Sequence, residues 1–337
     1  MSEDDAWRVA AVVRSGALAQ GREVAAFEGD LAPVFGTASV AAVASGTAAL
    51  ELALRALEVG PGHEVVIPTY VCDALWHAVT RAGAVPVLAD ADPATGSLSA
   101  KDARERLTRH TRAIVVPHAF GLAVDLDAYL ALGLPVVEDC AQALGARVDG
   151  RPAGSRGALA VGSFYATKMI AAGEGGAVAG PARLVGRVRD MREYDERERL
   201  MARQNAKMSE LHAALGGSQL ARLGEFVARR RAIVARYRQR LAGAPCRLPD
   251  DAGERHVWHR FVVAVDRDLR DVVPALQARG VAARRPVFRP AHRAVGRAGF
   301  PEADRLWAES LSLPCYPSLT DAEIDTVAQA LLEVLGA

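Results

Sequence analysis

Lysine is scarce in this chain: Lys and Arg together number 41, yet lysine stands only at Lys101, Lys168 and Lys207. A bias toward arginine leaves lysine where a guanidinium cannot substitute. An amine can shed its proton and add to a carbonyl carbon, whereas a guanidinium stays protonated. Lys168 lies in GSFYATKMIAAGEGGA, Gly162 to Ala177, after Ser163 and just before the glycines of GEGG. Such glycines let the backbone turn tightly or approach a ligand closely. Alone, a single lysine reads as a solvated surface charge.

Two further groups bear on it. In VASGTAALELAL, Ser45, Gly46 and Thr47 fall between an apolar run and a helical pattern. Free N–H groups and the helix dipole would hold a phosphate there, although Ser and Thr also serve as plain caps. In LPVVEDCAQALGA, Asp139 closes an apolar run and Gln142 follows shortly after. Open α/β sheets bind ligands at the carboxyl ends of their strands, although Asp at a strand end also caps helices. Together, a phosphate cradle, a strand-end carboxylate, an amide and a lysine describe a site for pyridoxal 5′-phosphate. Its aldehyde needs an amine, and its ring nitrogen needs a carboxylate that keeps it protonated so that the ring can absorb electrons.

The elements that must carry these groups alternate. VAAVASG, EVVIPTY, VPVLADAD, RAIVVPHAF and LPVVEDCAQ are short apolar runs separated by helical stretches such as TAALELALRAL and SAKDARERLTR. Runs of this kind are strands buried on both faces of a mostly parallel sheet. Strands at Gly162–Tyr165 and Ala177–Ala179 bring the expected sheet to seven. The charge run VRDMREYDERERLMARQ reads as a solvated loop or helix face, and MSELHAALGGSQLARLGEFVARRRAIVARYRQRL as one or two amphipathic helices. HRFVVAV then reads as a strand, DLRDVVPALQARG as a helix ending at Gly280, and DAEIDTVAQALLEVL as a capped terminal helix.

Composition narrows the class. Acidic residues number 40 against 41 basic ones, so no global field favours nucleic acid or an anionic membrane. Cys72, Cys140, Cys246 and Cys315 form no C-x-x-C pair, so neither a metal site nor a disulfide framework is expected. The acidic start MSEDDAW is unlike a signal peptide, and no apolar run reaches the roughly 18 residues of a membrane helix. A cytoplasmic protein is expected.

SGTAALELALRAL, PVVEDCAQALGA, GSFYATKMIAAGEGGAV and NAKMSELHAALGGSQLARL, in this order, resemble the DegT/DnrJ/EryC1/StrS family of pyridoxal-phosphate sugar aminotransferases. The likeness runs from LAQGREVAAFEGDLAPVFG to LSLPCYPSLTDAEIDTV. It implies an α/β fold-type I transferase: a large cofactor-binding domain with an N-terminal arm, residues 1–235, and a smaller α+β domain, residues 236–337. It also implies a homodimer with each active site at the subunit interface. By this resemblance Lys168 forms the Schiff base with the cofactor and later shuttles the proton between substrate carbon and cofactor. Asp139 binds the ring nitrogen and Gln142 the ring oxygen. Thr47, the Ala48 backbone and Ser163 hold the phosphate, joined by Asn205 from the neighbouring subunit.

The activity so implied is amino transfer, typically from glutamate, to a keto-sugar linked to a nucleotide. A keto-cyclitol or other small ketone would use the same cofactor residues, as would a cofactor-binding regulator without turnover. In some relatives histidine replaces the lysine for deoxygenation, so Lys168 argues for transamination. Two departures from the family pattern stand out. Cys72 occupies the place of an aromatic that stacks on the cofactor ring, leaving Tyr70 or Trp76 to cover that face. Lys207 stands where many relatives have arginine, which loses a two-pronged grip on an anion. His118 and Phe120, in VPHAFG, are expected to line the pocket, His118 in a structural role. No other histidine carries a functional expectation. The arginines of RRPVFRPAHR suit a diphosphate or carboxylate but read mainly as a solvated loop.

Overall fold

The computed structural model describes residues 1–336; Ala337, the last residue of the expected second unit, lies outside them. Seven strands form one sheet: β1 (Ser39–Val43), β2 (Glu64–Pro68), β3 (Val85–Ala89), β4 (Thr111–Pro117), β5 (Val136–Asp139), β6 (Leu159–Ser163) and β7 (Gly176–Gly180). Their order is β1-β7-β6-β5-β4-β2-β3. β7 runs antiparallel to both neighbours, and every other pairing is parallel. The strand expected at Gly162–Tyr165 starts earlier. Leu159 to Val161 are fully buried between neighbouring strands, and Tyr165 lies exposed in the turn beyond.

Alternation of side chains explains the unbroken apolar runs. Val65, Ile67, Ala113 and Val115 enter one core, while Val66, Ile114 and Val116 enter another on the opposite face. The longer helices, of eight residues or more among the described residues, are α1 (Glu3–Ser15), α2 (Arg22–Phe35), α3 (Gly46–Ala56), α4 (Ala74–Arg81), α5 (Ala182–Met191), α6 (Glu210–Ala221), α7 (Leu223–Arg240), α8 (Leu269–Gln277), α9 (Pro301–Glu309) and α10 (Asp321–Leu335). Both α1 and α2 pack on α6, and α3 packs behind β6 and β7. The long amphipathic segment thus divides in two, at Arg222.

The charge run is less solvated than its composition suggests. Arg192, only 6% exposed, pairs with Glu28 at 2.6 Å, and Arg189 reaches the other Glu28 oxygen at 2.7 Å. Glu28 also accepts the Ala42 N–H at 2.8 Å, so two arginines and one carboxylate fasten α2 and α5 to β1.

A second, antiparallel sheet holds β8 (Cys246–Arg247), β9 (Phe261–Val265) and β10 (Ser310–Leu313), in that order. β9, α8 and α10 answer to the three elements expected there, and α10 starts with a capping box between Thr320 and Glu323. Ile233, Tyr237, Phe261, Leu311 and Leu331 share a core of their own, with Tyr237 stacked on Phe261 at 5.0 Å. Residue 235 falls inside α7. Val287, Ala291, Phe300 and Ala303 pack instead with Leu75 and Leu88 in the large core, tying the two halves together.

Candidate active site

β4 and β5 end side by side, with Pro117 opposite Asp139. The next residue, His118, donates its N–H to the Asp139 carbonyl at 3.0 Å. The Asp139 side chain is 7% exposed; its Oδ1 accepts the Ala141 N–H at 3.0 Å, and the other oxygen has no partner among the described residues. Burial pushes this carboxyl up, against the downward pull of the Ala141 N–H and of the Lys168 charge. A protonated ring nitrogen against the free oxygen would offset that cost.

Gln142 is oriented by its neighbour. Its Oε1 accepts the Phe120 N–H at 2.7 Å, which leaves the Nε2 donors without a partner among the described residues. Phe120 itself sits at φ 58°, an unfavourable conformation for a non-glycine residue.

The phosphate end is built by close approach. Ser45 caps α3, its Oγ accepting the Ala48 N–H at 3.1 Å. A Cβ on Gly46 would lie 2.7 Å from Ser163 Cβ, and one on Gly176 would lie 2.4 Å from the Ser45 carbonyl oxygen. Only glycine lets β6, β7 and the α3 N-terminus converge so tightly. The N–H groups of Gly46 and Thr47 and the hydroxyls of Thr47 and Ser163 have no partners among the described residues. This cradle fits a phosphate, with the expected Thr47 and Ser163 among its free donors. The Ala48 N–H is committed to the cap, while the Gly46 N–H has no partner among the described residues.

Lys168 follows β6 in a turn closed by its own N–H to the Tyr165 carbonyl at 2.8 Å. Its amine is half-buried and without a partner among the described residues. Lys168 lines a cleft of about 690 Å³ together with Tyr165, Arg230, His259, Arg260 and Arg284. Its charge acts on Asp139, on Cys72 and on His259, of which His259 shares the cleft wall with it. The donor set is that of pyridoxal 5′-phosphate: an amine for the aldehyde, a buried carboxylate for the ring nitrogen, an amide donor for the ring oxygen and a helix N-terminus for the phosphate.

The remaining expected residues divide. His118 is structural: its Nδ1 accepts the Val124 N–H at 3.1 Å, so Nε2 carries the proton toward Glu138 Oε2 at 3.1 Å. Glu138 also accepts the N–H groups of Gly154, Arg156 and Gly157. Cys140 lies within reach of this pair, a cluster not legible from residue spacing. Cys72 is exposed, and its thiol is pushed up by the protein packed around it and by the Asp139 charge. Tyr70 cannot cover the ring in its place. It is 2% exposed, bonded through its hydroxyl to the Leu306 carbonyl at 3.3 Å, and edge-on to Phe120. Trp76 packs partly against the large core.

Asn205 is exposed, with no partner among the described residues. Lys207 pairs with Asp195 at 3.3 Å. His259, without a functional expectation from sequence, forms part of the cleft wall. Its only signal was proximity to the buried strand that RHVWHRFVVAV announces.

The comparisons with known proteins bear on family and fold. The model of the DegT/DnrJ/EryC1/StrS aminotransferase family matches residues 1–332. A UDP-N-acetyl-3-dehydro-alpha-D-glucosamine 3-aminotransferase from Acidithiobacillus ferrooxidans is 34% identical over 335 residues, covering 94% of this chain and 89% of the relative. A dTDP-3-amino-3,4,6-trideoxy-alpha-D-glucose transaminase from Streptomyces venezuelae is 36% identical over 351 residues, covering 98% and 92%. Among solved structures, the aminotransferase TlmJ from Streptoalloteichus hindustanus superposes with a TM-score of 0.94 at 33% identity, covering 100% of this chain and 97% of that one. The chain belongs to the DegT/DnrJ/EryC1/StrS aminotransferase family, and pyridoxal 5′-phosphate is its cofactor.

Proposed function

We propose that this protein transfers an amino group from glutamate to a keto-sugar carried on a nucleoside diphosphate. The observation that carries the reading is the Lys168 amine, without a partner among the described residues, whose charge reaches the buried Asp139 carboxylate. The relatives from A. ferrooxidans and S. venezuelae, named for UDP- and dTDP-linked amino sugars, support the nucleotide-linked class and differ in the base.

When bound, the cofactor supplies an electron sink for the carbon that gains or loses nitrogen. Asp139 supplies the negative charge that keeps the ring nitrogen protonated. Gln142 Nε2 donates to the ring oxygen. Thr47 and Ser163 hold the phosphate with the Gly46 and Thr47 N–H groups, and Ala48 joins them only if its bond to Ser45 opens. Asn205, exposed and with no side-chain partner among the described residues, completes the cradle of a second copy, so the working unit is a homodimer with shared sites. Lys168 would hold the cofactor through its amine and would carry the proton to and from the substrate carbon. Residues 1–235 form the cofactor-binding unit and 236–337 the smaller one, in a cytoplasmic enzyme.

Borohydride reduction followed by peptide mapping tests the attachment. The label is expected on Lys168; label elsewhere, or none, ends the reading. Lys168→Ala loses amino transfer while Lys101→Ala, at an exposed site, keeps it. Screening keto-sugars against keto-cyclitols for donor-dependent turnover decides the acceptor.

A further inference from the structure

One wall of the cleft offers hydrogen-bond donors with nothing to receive them. Arg230, His259, Arg260 and Arg284 line it beside Lys168, and none of the lining residues is Asp or Glu. Arg229 and Arg236, on the same helix as Arg230, pair with Asp321 and Asp325. Arg230, Arg260 and Arg284 form no ion pair among the described residues. Three buried polar atoms here have no partner among the described residues: Arg230 Nε, His259 Nδ1 and Arg260 Nε. Arg230 and His259 are 4% and 7% exposed, so water does not readily substitute for the missing partners.

The wall is rigidly held. One Arg230 nitrogen donates to the carbonyls of Trp258 at 3.1 Å, His259 at 3.3 Å and Cys315. Arg260 and Arg284 converge on Ser312: Arg260 Nη1 lies 3.5 Å from its hydroxyl, and the Arg284 backbone exchanges hydrogen bonds of 3.2 and 2.8 Å with it. Burial and the neighbouring cations hold His259 well below its usual range, so it stays neutral. Arg260 is itself pushed down by burial and by Arg284, the expected mark of a cation pair with no anion between its members.

Such a wall selects an acceptor with paired oxygens, since guanidinium meets carboxylate or phosphate in a two-pronged geometry. Its position decides between the two. The wall adjoins the Lys168 amine, and in an amino acid the carboxylate is bonded directly to the carbon that bears the amine. In a nucleotide-linked sugar the ring separates the diphosphate from the reacting carbonyl. We propose that Arg260 and Arg284, with His259 beside them, seat the carboxylates of an acidic amino donor. This inference rests on the aminotransferase reading for its ligand.

The test measures binding by calorimetry to the cofactor-loaded protein, using glutarate and its neutral diamide, glutaramide. Glutarate is expected to bind and glutaramide not. Arg260→Met and Arg284→Gln should each weaken glutarate by at least about tenfold. Arg285→Gln should leave it unchanged, because that guanidinium lies over the Trp307 ring at 4.3 Å, away from the cleft. In kinetics, the KM for glutamate should rise in both variants, while the keto-sugar KM of protein loaded with pyridoxamine 5′-phosphate stays put.

Glutarate binding that is absent in the wild type, or equal in all three variants, overturns the seat. Displacement of glutarate by UDP overturns it too, in favour of a diphosphate site. Glutarate binding lost in the variants, in a protein that passes no amino group to any ketone, leaves the seat standing and removes the aminotransferase reading.

Discussion

Asp139 carries the cost at the residue scale. A carboxylate this enclosed is destabilised as an anion, and burial pushes it up despite the Ala141 N–H and the Lys168 charge. The charge needed to hold a protonated ring nitrogen is therefore lost on acidification sooner than for an ordinary carboxylate. Cofactor affinity, followed by absorbance titration of the apo protein, should begin to fall at a pH above the usual carboxylate range. Asp139→Asn keeps the shape and removes the charge. It should lower amino transfer by on the order of 100-fold or more while phosphate binding survives. Lys168 and Asp139 were legible from type and position alone. Gln142 was legible as a donor, but the Phe120 N–H that turns its amide is visible only in three dimensions.

The decisive element is α3 and its approach to the sheet. Ser45→Ala removes the cap, which should cost about 1 kcal/mol by thermal or denaturant unfolding. Gly46→Ala acts differently. Its Cβ meets Ser163 at 2.7 Å, so either Ser163 or the helix must shift, and the cradle opens. Cofactor affinity should drop by about tenfold or more with little change in the stability of the apo protein; an unchanged affinity would show that the cradle tolerates the shift. SGTAAL announced a capped helix after a strand, but not which N–H groups the cap would occupy. That depends on the Ser45 rotamer, for which the residue pattern carries no signal.

At the scale of the whole molecule, the N-terminal helix is fastened by one buried carboxylate. Asp5, 3% exposed, receives Gln219 Nε2 at 2.8 Å and Arg222 at 2.7 Å. Although burial pushes it up, the Ser218, Ser2 and Arg222 contacts bring it down to about 2. A depressed carboxylate stabilises the fold above its ordinary value and loses that contribution as pH falls toward about 2. Asp5→Asn should therefore lower the unfolding temperature at neutral pH, and the gap to wild type should close on acidification across that window.

Shared sites make a second prediction at this scale. Lys168→Ala and Asn205→Asp, each inactive alone, should regain activity when unfolded and refolded together. Random pairing leaves one intact site in each mixed dimer, about a quarter of wild-type activity. No recovery would place Asn205 outside the neighbouring site.

Periodicity and side-chain chemistry by themselves determined the alternating strands, the mostly parallel sheet and the amine–carboxylate pair. Buried strands must be apolar on both faces, and only lysine among the cations can act as a nucleophile. The small-domain elements around β9 and α10 were legible for the same reason. What the tertiary structure decided lies where distant segments meet. Arg260 and Arg284 become neighbours only through Ser312, Tyr70 is withdrawn from the ring face by Leu306, and Arg192 is buried by Glu28. Whether a charge is solvated, paired or left waiting for a ligand is set by what folds against it, and local spacing holds no record of that.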